Sequence, residues 1–379
     1  MDNNKVNKIF TFKSGNFIFS RKFSGKKIEI SLVKANILYH SVMDLPILPD
    51  LSASIREEII RRSIFGTAAL EGNPLTEEKV AQIISKTHKT KQMEKAEKEI
   101  RNLKATYDFV RKIKPSGSVF ILSEDMIKKI HSFITKGIKY HDNEPGQYRN
   151  VPVKVGDANH GGVYTPPKCL PDIQKIMKEF VIWINSEEVI KLEPEIRSAL
   201  AHYHLGLIHP FGDGNGRTAR IIEAMLLRLA GIKYVPIMLS NFYYRNIDDY
   251  FWAFSRARKR KDNDISPFLE FVLDGVINSL YEIKGRITFF IRKFTLRVYY
   301  DYIKEKKGIT QRQHDFLIML WDYQKPFTLE DLLNVSPFKV LYRGVSERTA
   351  RRDLKKLREN NLLYITDDGK FNLNERAIG

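Results

Sequence analysis

Twelve consecutive residues could do chemistry together: His209-Pro210-Phe211-Gly212-Asp213-Gly214-Asn215-Gly216-Arg217-Thr218-Ala219-Arg220. His209 is the group in this stretch that accepts a proton near neutral pH. Gly214 and Gly216 flank Asn215, so the backbone can take positive φ and turn several N–H groups inward. The run from Thr218 to Leu227 is predicted to be a helix that stops near Gly231. A glycine turn opening a helix is an anion site, because free N–H groups and the helix dipole point the same way. Arg217 and Arg220 lie three apart, share a helix face and can both reach a polyphosphate. Asp213 is a hard oxygen ligand suited to a magnesium ion that bridges phosphates. The combination describes nucleotide transfer to a hydroxyl. The plain alternative, a polar turn with a glycine cap, does not account for the full set within so short a stretch.

Every fixed position of His-Pro-Phe-x-Asp-Gly-Asn-Gly-Arg-x-x-Arg is present, and the stretch resembles the signature of the Fic family. Most of that family moves AMP from ATP onto a Ser, Thr or Tyr hydroxyl of a target protein. The resemblance implies that His209 is the general base and that Asp213 binds Mg2+. It implies that Gly214, Asn215 and Gly216 cradle the phosphates, that Arg217 helps hold them and that Arg220 holds the γ-phosphate. The Doc branch, which resembles a kinase, carries lysine where this chain has Gly216, so the resemblance favours adenylyl transfer.

Those residues need elements to position them. With 379 residues there is room for two or three domains, and a hydrophobic share of 43% suffices for ordinary cores. The single Cys169 cannot form an intramolecular disulfide, so a reducing cytoplasm is the expected compartment. No signal peptide is expected at Met1–Lys5, and no apolar run reaches membrane-spanning length. The net charge of +18 raises nucleic acid or an acidic partner as candidates, but the excess is spread along the chain.

At the start, Lys8–Phe12 and Phe17–Ser20 read as a hairpin around Ser14-Gly15-Asn16, followed by a helix near Ile28–Tyr39. Asp50 or Ser52 is expected to cap a second helix through Ile55, Ile60 and Ile64, ending at Thr67-Ala68-Ala69-Leu70-Glu71-Gly72-Asn73. Taken alone, Gly72-Asn73-Pro74 is a helix stop with a solvated Glu71. A carboxylate in a last turn opposes the helix dipole, so something else could hold it. Thr67, Glu71 and Gly72 also resemble the inhibitory-helix motif of the Fic family, Ser/Thr-x-x-x-Glu-Gly/Asn. That resemblance implies that Glu71 pairs with Arg220 and fills the space of the γ-phosphate, within one chain.

Further helices are expected from Thr76, over residues 91 to 113 with Pro115–Ser118 closing the second, and from about Ser123 to Lys136. Val151, Val153 and Val155 alternate, and Val163-Tyr164 follows the glycines, which predicts a β-hairpin whose strand Pro152 demotes to an edge. By the resemblance this is a flap that docks the target protein; a plain surface hairpin is the alternative, with His160 solvated. Helices over Asp172–Asn185 and Glu193–Ile208 come next, the second delivering His209. His202 and His204 on it point to different sides and read as structural rather than as zinc ligands. Asn246 and Tyr250 fall where Fic chains line an adenine pocket, although an aromatic stripe here also suits a core. Pro267–Ile283 is a further amphipathic helix.

Past a connecting helix at 286–308, helices are expected near 311–323 and 328–334, then one capped by Ser346, then a hairpin around Asp367-Asp368-Gly369. This order resembles a winged helix-turn-helix, with Arg348, Arg351, Arg352 and Lys355 outward for DNA phosphates. Residues 335–345 are longer than the tight turn of that motif. A protein-interaction module is the alternative.

The expected fold is mainly α: a Fic-type helical bundle with a β-hairpin flap and a C-terminal winged helix. The expected division is 1–95, 96–285, 286–308 and 309–379. ATP and Mg2+ are the implied cofactors, and a homodimer is left open. A DNA-binding regulator whose core senses nucleotide, and an enzyme that removes AMP, remain alternative readings.

Overall fold

The computed structural model describes residues 6–85, 94–115, 119–139 and 143–378. The start of the helix expected at 91, most of the turn expected at 115–118 and the N-terminal Met1–Lys5 lie outside them. The chain divides into two compact units, Met1–Asp44 with Leu48–Ile283, and Leu45–Ile47 with Lys284–Gly379.

The first unit opens with β1 (Val6–Phe10) and β2 (Asn16–Ser20), antiparallel with Val6 opposite Ser20. The Asp172 carboxylate accepts from Phe12 N–H (2.7 Å), Lys13 N–H (2.9 Å) and the Ser14 hydroxyl (2.6 Å), pinning the turn. Then come α1 (Lys26–Met43) and α2 (Pro49–Ala69). Neither Asp50 nor Ser52 caps α2. Pro49 sits in its first turn and the preceding Leu48 makes no side-chain cap bond, because a proline there has no N–H to satisfy and a preset φ. The helices α3 (Glu77–Ser85), α4 (Lys95–Lys112) and α5 (Glu124–Thr135, capped by Ser123) follow. After them come α6 (Leu170–Ile184), α7 (Glu187–Ile190), α8 (Pro194–Ile208), α9 (Asn215–Leu229), α10 (Val235–Arg245) and α11 (Ile247–Arg258). The long α12 (Ser266–Glu305) contains the division between the units.

Helices α8 and α9 form the centre of the first unit and are buried on nearly every side. Helix α2 lies directly on α10. A Cβ at Gly66 would come within 2.9 Å of Asn241 Cα and of the Ser240 carbonyl, so the glycine permits backbone contact. This close approach fixes where the end of α2, and with it Glu71, can lie.

The expected flap hairpin is not a pair of strands. Val151, Val153 and Val155 keep their half-buried alternation against exposed Pro152 and Lys154, but one bridge, Val155 to Tyr164, is all the pairing this segment has. Pro152 lacks the N–H a ladder needs, the Val151 carbonyl is taken by Arg149 (2.7 Å), and Gly156, Gly161 and Gly162 have positive φ.

In the second unit, α13 (Gln311–Tyr323) and α14 (Leu329–Asn334) each open with a capping box, Thr310/Gln313 and Thr328/Asp331. A short α15 (Phe338–Leu341) occupies the over-long connection, and buried Phe338 packs against Phe316, Tyr323 and Phe327. Ser346 caps α16 (Glu347–Glu359), and β3 (Leu363–Ile365) pairs antiparallel with β4 (Phe371–Leu373). Buried Asp353 accepts from Arg312 Nε and Gln313 Nε2, both at 2.9 Å, and ties α16 to α13. No described helix is long and apolar enough to cross a membrane.

Candidate active site

His209 is the residue that ends α8, in left-handed conformation with φ 49°. Its Nδ1 faces the Gly206 carbonyl at 3.3 Å, so the neutral ring carries its proton there and leaves Nε2 as acceptor. Burial pushes its pKa down to about 4, so the ring is a free base at neutral pH.

The loop after His209 is built from inside. Asn215 Oδ1 accepts from Phe211 N–H (2.9 Å) and its Nδ2 donates to the Phe211 carbonyl (2.8 Å). The Asn215 side chain is therefore spent on loop closure. Phe211 stacks on His131 with centroids 3.7 Å apart. His131 Nδ1 accepts from Gly146 N–H (2.9 Å) and Nε2–H donates to the Asp213 carbonyl (2.9 Å). Asn143 Oδ1 accepts from Asp213 N–H at 2.9 Å. Arg149 holds the other side: Nε donates to the His209 carbonyl (2.8 Å), Nη2 to the Pro167 carbonyl (2.8 Å), and its N–H to the Pro210 carbonyl (3.0 Å). Sequence reasoning missed His131, Asn143 and Arg149 because they lie 60 or more positions from the loop residues they hold. No local pattern points to them.

Gly214, with φ 76°, precedes α9, and no side chain caps that helix. The carboxylate of Glu71 lies beside Gly216 in the first turn of α9. A Cβ at Gly216 would clash with Glu71 Oε1 and come within 3.0 Å of Arg220 Nη1, so glycine is what lets the carboxylate seat there. Arg220 Nη2 donates to Glu71 Oε1 at 2.7 Å and to the Thr67 carbonyl at 3.2 Å, and Nε donates to Thr67 Oγ1 at 2.8 Å. Burial raises the Glu71 pKa, but the charges of Arg220 and Arg217 outweigh it and hold the carboxyl below its usual range. Arg217 pairs with Asp213 at 2.6 Å and approaches Glu99 at 3.6 Å. Gly72, with φ 80°, ends the turn after α2.

Beside these groups lies a cavity of about 310 Å³ walled by His209, Arg220, Tyr164, Tyr250, Phe251 and Arg258, with Glu71 also on its wall. Tyr250 is in the wall of this cavity. Asn246 is not: its Nδ2 donates to the Phe242 carbonyl (2.8 Å) at the junction of α10 and α11. Phe254 and Arg258 follow Tyr250 at spacings of four along α11. That periodicity was a usable signal for this wall. His160 is half-buried and ion-paired rather than free in solvent. Its ring lies between Asp157 (2.8 Å) and Asp248 (3.0 Å), with a side chain 18% exposed, and both carboxylates raise its pKa.

His202 lies against Glu223 (3.0 Å) and the Tyr250 hydroxyl (2.9 Å), while His204 donates to the Ser20 carbonyl (2.9 Å). Among the described residues no group of three or more His, Cys, Asp or Glu could hold a metal. His131 and His204 are fully enclosed, and burial holds both down to about 4. Unfolded histidine titrates near about 6.5. Between those values the unfolded chain binds protons the folded chain refuses, so the stability is complete above about pH 6.5 and is lost as pH falls toward 4. Each of these rings, and His209 with them, should contribute on the order of 1 kcal/mol per pH unit near pH 5. Urea unfolding at pH 7 and pH 5 checks this, and equal stabilities would refute it.

The helical core thus places a neutral His209, an uncapped helix terminus and Arg220 beside one cavity. Residues 121–227 match the model of the Fic/DOC family. The protein adenylyltransferase Fic of Culex quinquefasciatus is 31% identical over 176 residues, 46% of this chain and 32% of that protein. The protein of the same name from Nematostella vectensis is 36% identical over 132 residues, 35% and 27% of the two chains. The chain thus spans about a third of the length of the curated relatives it matches. Among solved structures, a Fic family protein from Desulfovibrio desulfuricans G20 aligns with a TM-score of 0.57 at 20% identity, over 93% of this chain and 97% of that one. Fic-1 from C. elegans aligns with a TM-score of 0.55 at 22% identity, over 69% and 73%. These two show a shared fold.

Proposed function

We propose that the protein is an adenylyltransferase that moves AMP from ATP to a Ser, Thr or Tyr hydroxyl of a target protein, and that Glu71 restrains it. The observation that carries this reading is the Glu71 carboxylate on Arg220 at the start of α9, beside a neutral His209. An acidic side chain held in an anion site is what competition with a phosphate requires. In the reaction, the target oxygen attacks the α-phosphorus while His209 Nε2 takes the hydroxyl proton. The bond from the α-phosphorus to the bridging oxygen breaks, and pyrophosphate leaves. First-turn N–H groups of α9, with Arg217 and Arg220, hold the phosphates. Asp213, part-exposed at the end of the loop, fits Mg2+, which is usually bound by one or two carboxylates together with substrate phosphates. Such an ion would neutralise charge on the leaving group. The extended segment at Val151, Val153 and Val155 is the proposed docking edge for the target, and the single Cys169 supports a reducing cytoplasm. The test is transfer of label from ATP labelled in the α-phosphate, by Glu71→Gly protein, to proteins of a lysate. Label that persists after a second substitution, His209→Ala, would overturn the role of His209; no label at all would count against the transferase.

The exposed basic face of α16 favours a second activity, duplex DNA binding by a winged helix. Arg348, Arg352 and Lys355 are exposed, Lys355 in a loose 3.9 Å pair with Glu359, while Arg351 is engaged by Glu347. Asp367 and Asp368 at the hairpin tip repel phosphate, so α16 alone would make the contacts. The expected result is binding with a log–log salt slope of about −3, roughly −0.9 for each phosphate neutralised. No binding at low salt would sink it.

A further inference from the structure

Glu99, buried on α4, touches two parts of the site without touching Glu71. Its Oε2 accepts from Asn73 Nδ2 at 2.8 Å. Its Oε1 lies 3.6 Å from Arg217 Nη1. Asn73 sits two residues after Glu71, and its side chain also donates to the Ala96 carbonyl (3.1 Å) and accepts from Leu75 N–H (3.2 Å). Its own N–H closes back on the Ala68 carbonyl at 3.1 Å. Asn73 therefore fastens the turn that carries Glu71 to α4. Arg217, for its part, reaches the Asp213 carboxylate at 2.6 Å. A polar chain, Asn73–Glu99–Arg217–Asp213, thus runs beside the Glu71–Arg220 contact and joins the inhibitory turn to the phosphate loop.

We propose that Glu99 is a positioning residue that couples nucleotide occupancy to the Glu71 turn, an inference that rests on the adenylyltransferase reading. Two effects follow from its charge and place. Glu99 pulls Arg217 toward α4, so drawing Arg217 onto a polyphosphate separates a buried carboxylate from its cation, which is unfavourable. Glu99 also pins Asn73 and keeps Glu71 in register with Arg220. Filling the phosphate site and releasing the turn are then linked, and each promotes the other.

Two substitutions separate the effects. Glu99→Gln keeps the side chain's size and an acceptor for Asn73 but removes the charge that holds Arg217. Asn73→Ala cuts the turn from α4 and leaves Glu99 facing Arg217. The readouts are ATP affinity by calorimetry and amide exchange across Leu70–Asn73. Each substitution is expected to tighten ATP binding about five-fold, the low end of couplings between sites. Asn73→Ala should also speed exchange across the turn. In a Glu71→Gly background the affinity gain from Asn73→Ala should vanish, because the turn no longer carries a competing carboxylate. Unchanged affinity and exchange in both variants, while Glu71→Gly alone tightens ATP, would overturn the coupling and leave the adenylyltransferase reading intact. If Glu71→Gly leaves ATP binding unchanged, the inhibitory reading fails, and unchanged exchange in Asn73→Ala would then overturn the fastening as well.

Discussion

Glu71→Gly protein should bind ATP and transfer AMP about 10- to 100-fold better than wild type. The size follows from charge. A phosphate oxygen competing for Arg220 would lie within hydrogen-bonding reach of the Glu71 carboxylate. Two like charges at about 4 Å repel by roughly 4 kcal/mol at an effective dielectric of 20. The Glu71 side chain is 28% exposed, so screening lowers that figure, and about 1.5–3 kcal/mol corresponds to the stated range. The clamp itself should survive. Arg220 keeps Thr67 Oγ1, the Thr67 carbonyl and, at 3.5 Å, the Tyr250 hydroxyl. Glu71→Gln tests whether charge or bulk restrains the site: relief near that of Glu71→Gly means charge, and none means bulk. Acid should not mimic the substitution at physiological pH. The Glu71 pKa is lowered, so its ion pair is complete above the ordinary carboxylate value and is lost only as pH falls through the lower, folded one. Calorimetry with ATP and timed labelling read the effect, and unchanged ATP affinity would remove Glu71 from any inhibitory role.

The loop from His209 to Arg220 was legible in the sequence because its residues are local. Three glycines, a histidine, an aspartate and two arginines lie within one turn and the first turns of one helix. The cap at Ser346 was legible for the same reason, since a cap is a contact over three residues. Glu71 differs: its partner lies 149 positions away, and only a family resemblance linked them. The flap misled because alternation of Val151, Val153 and Val155 reports which side is buried, not whether a ladder forms. Arg149 had already claimed one of the carbonyls such a ladder would use. Asn246 misled because its position along the chain suited a pocket, while its side chain caps a helix end. His160 sits in a glycine-rich loop, which reads as solvent until α11 brings Asp248 beside it.

Arg149→Met should lower stability by about 2–3 kcal/mol and kcat by about 100-fold, with a small change in ATP affinity. Arg149 is 3% exposed, and burial has pushed its pKa down to about 10. Its guanidinium donates to the carbonyls of His209, Val151 and Pro167. Methionine keeps much of the stem's volume but leaves three carbonyls without donors, at about 1 kcal/mol or more each. Relief from burying a cation offsets part of that loss, which is why the net figure is modest. The effect on rate is larger than stability alone implies. His209 is held in left-handed conformation, and Arg149 grips its carbonyl from the flap side. Freeing that carbonyl lets the imidazole shift, and a displacement of about 1 Å costs on the order of 100-fold in an oriented reaction. ATP affinity should hold because Arg217 and Arg220 stand on α9, which packs against α8 and α10 rather than on Arg149. Arg149→Lys supplies donors without the planar fork and should recover part of the rate. Measured in a Glu71→Gly background, a loss confined to ATP affinity would show that Arg149 acts on the nucleotide, while unchanged kcat would show that His209 needs no support from the flap.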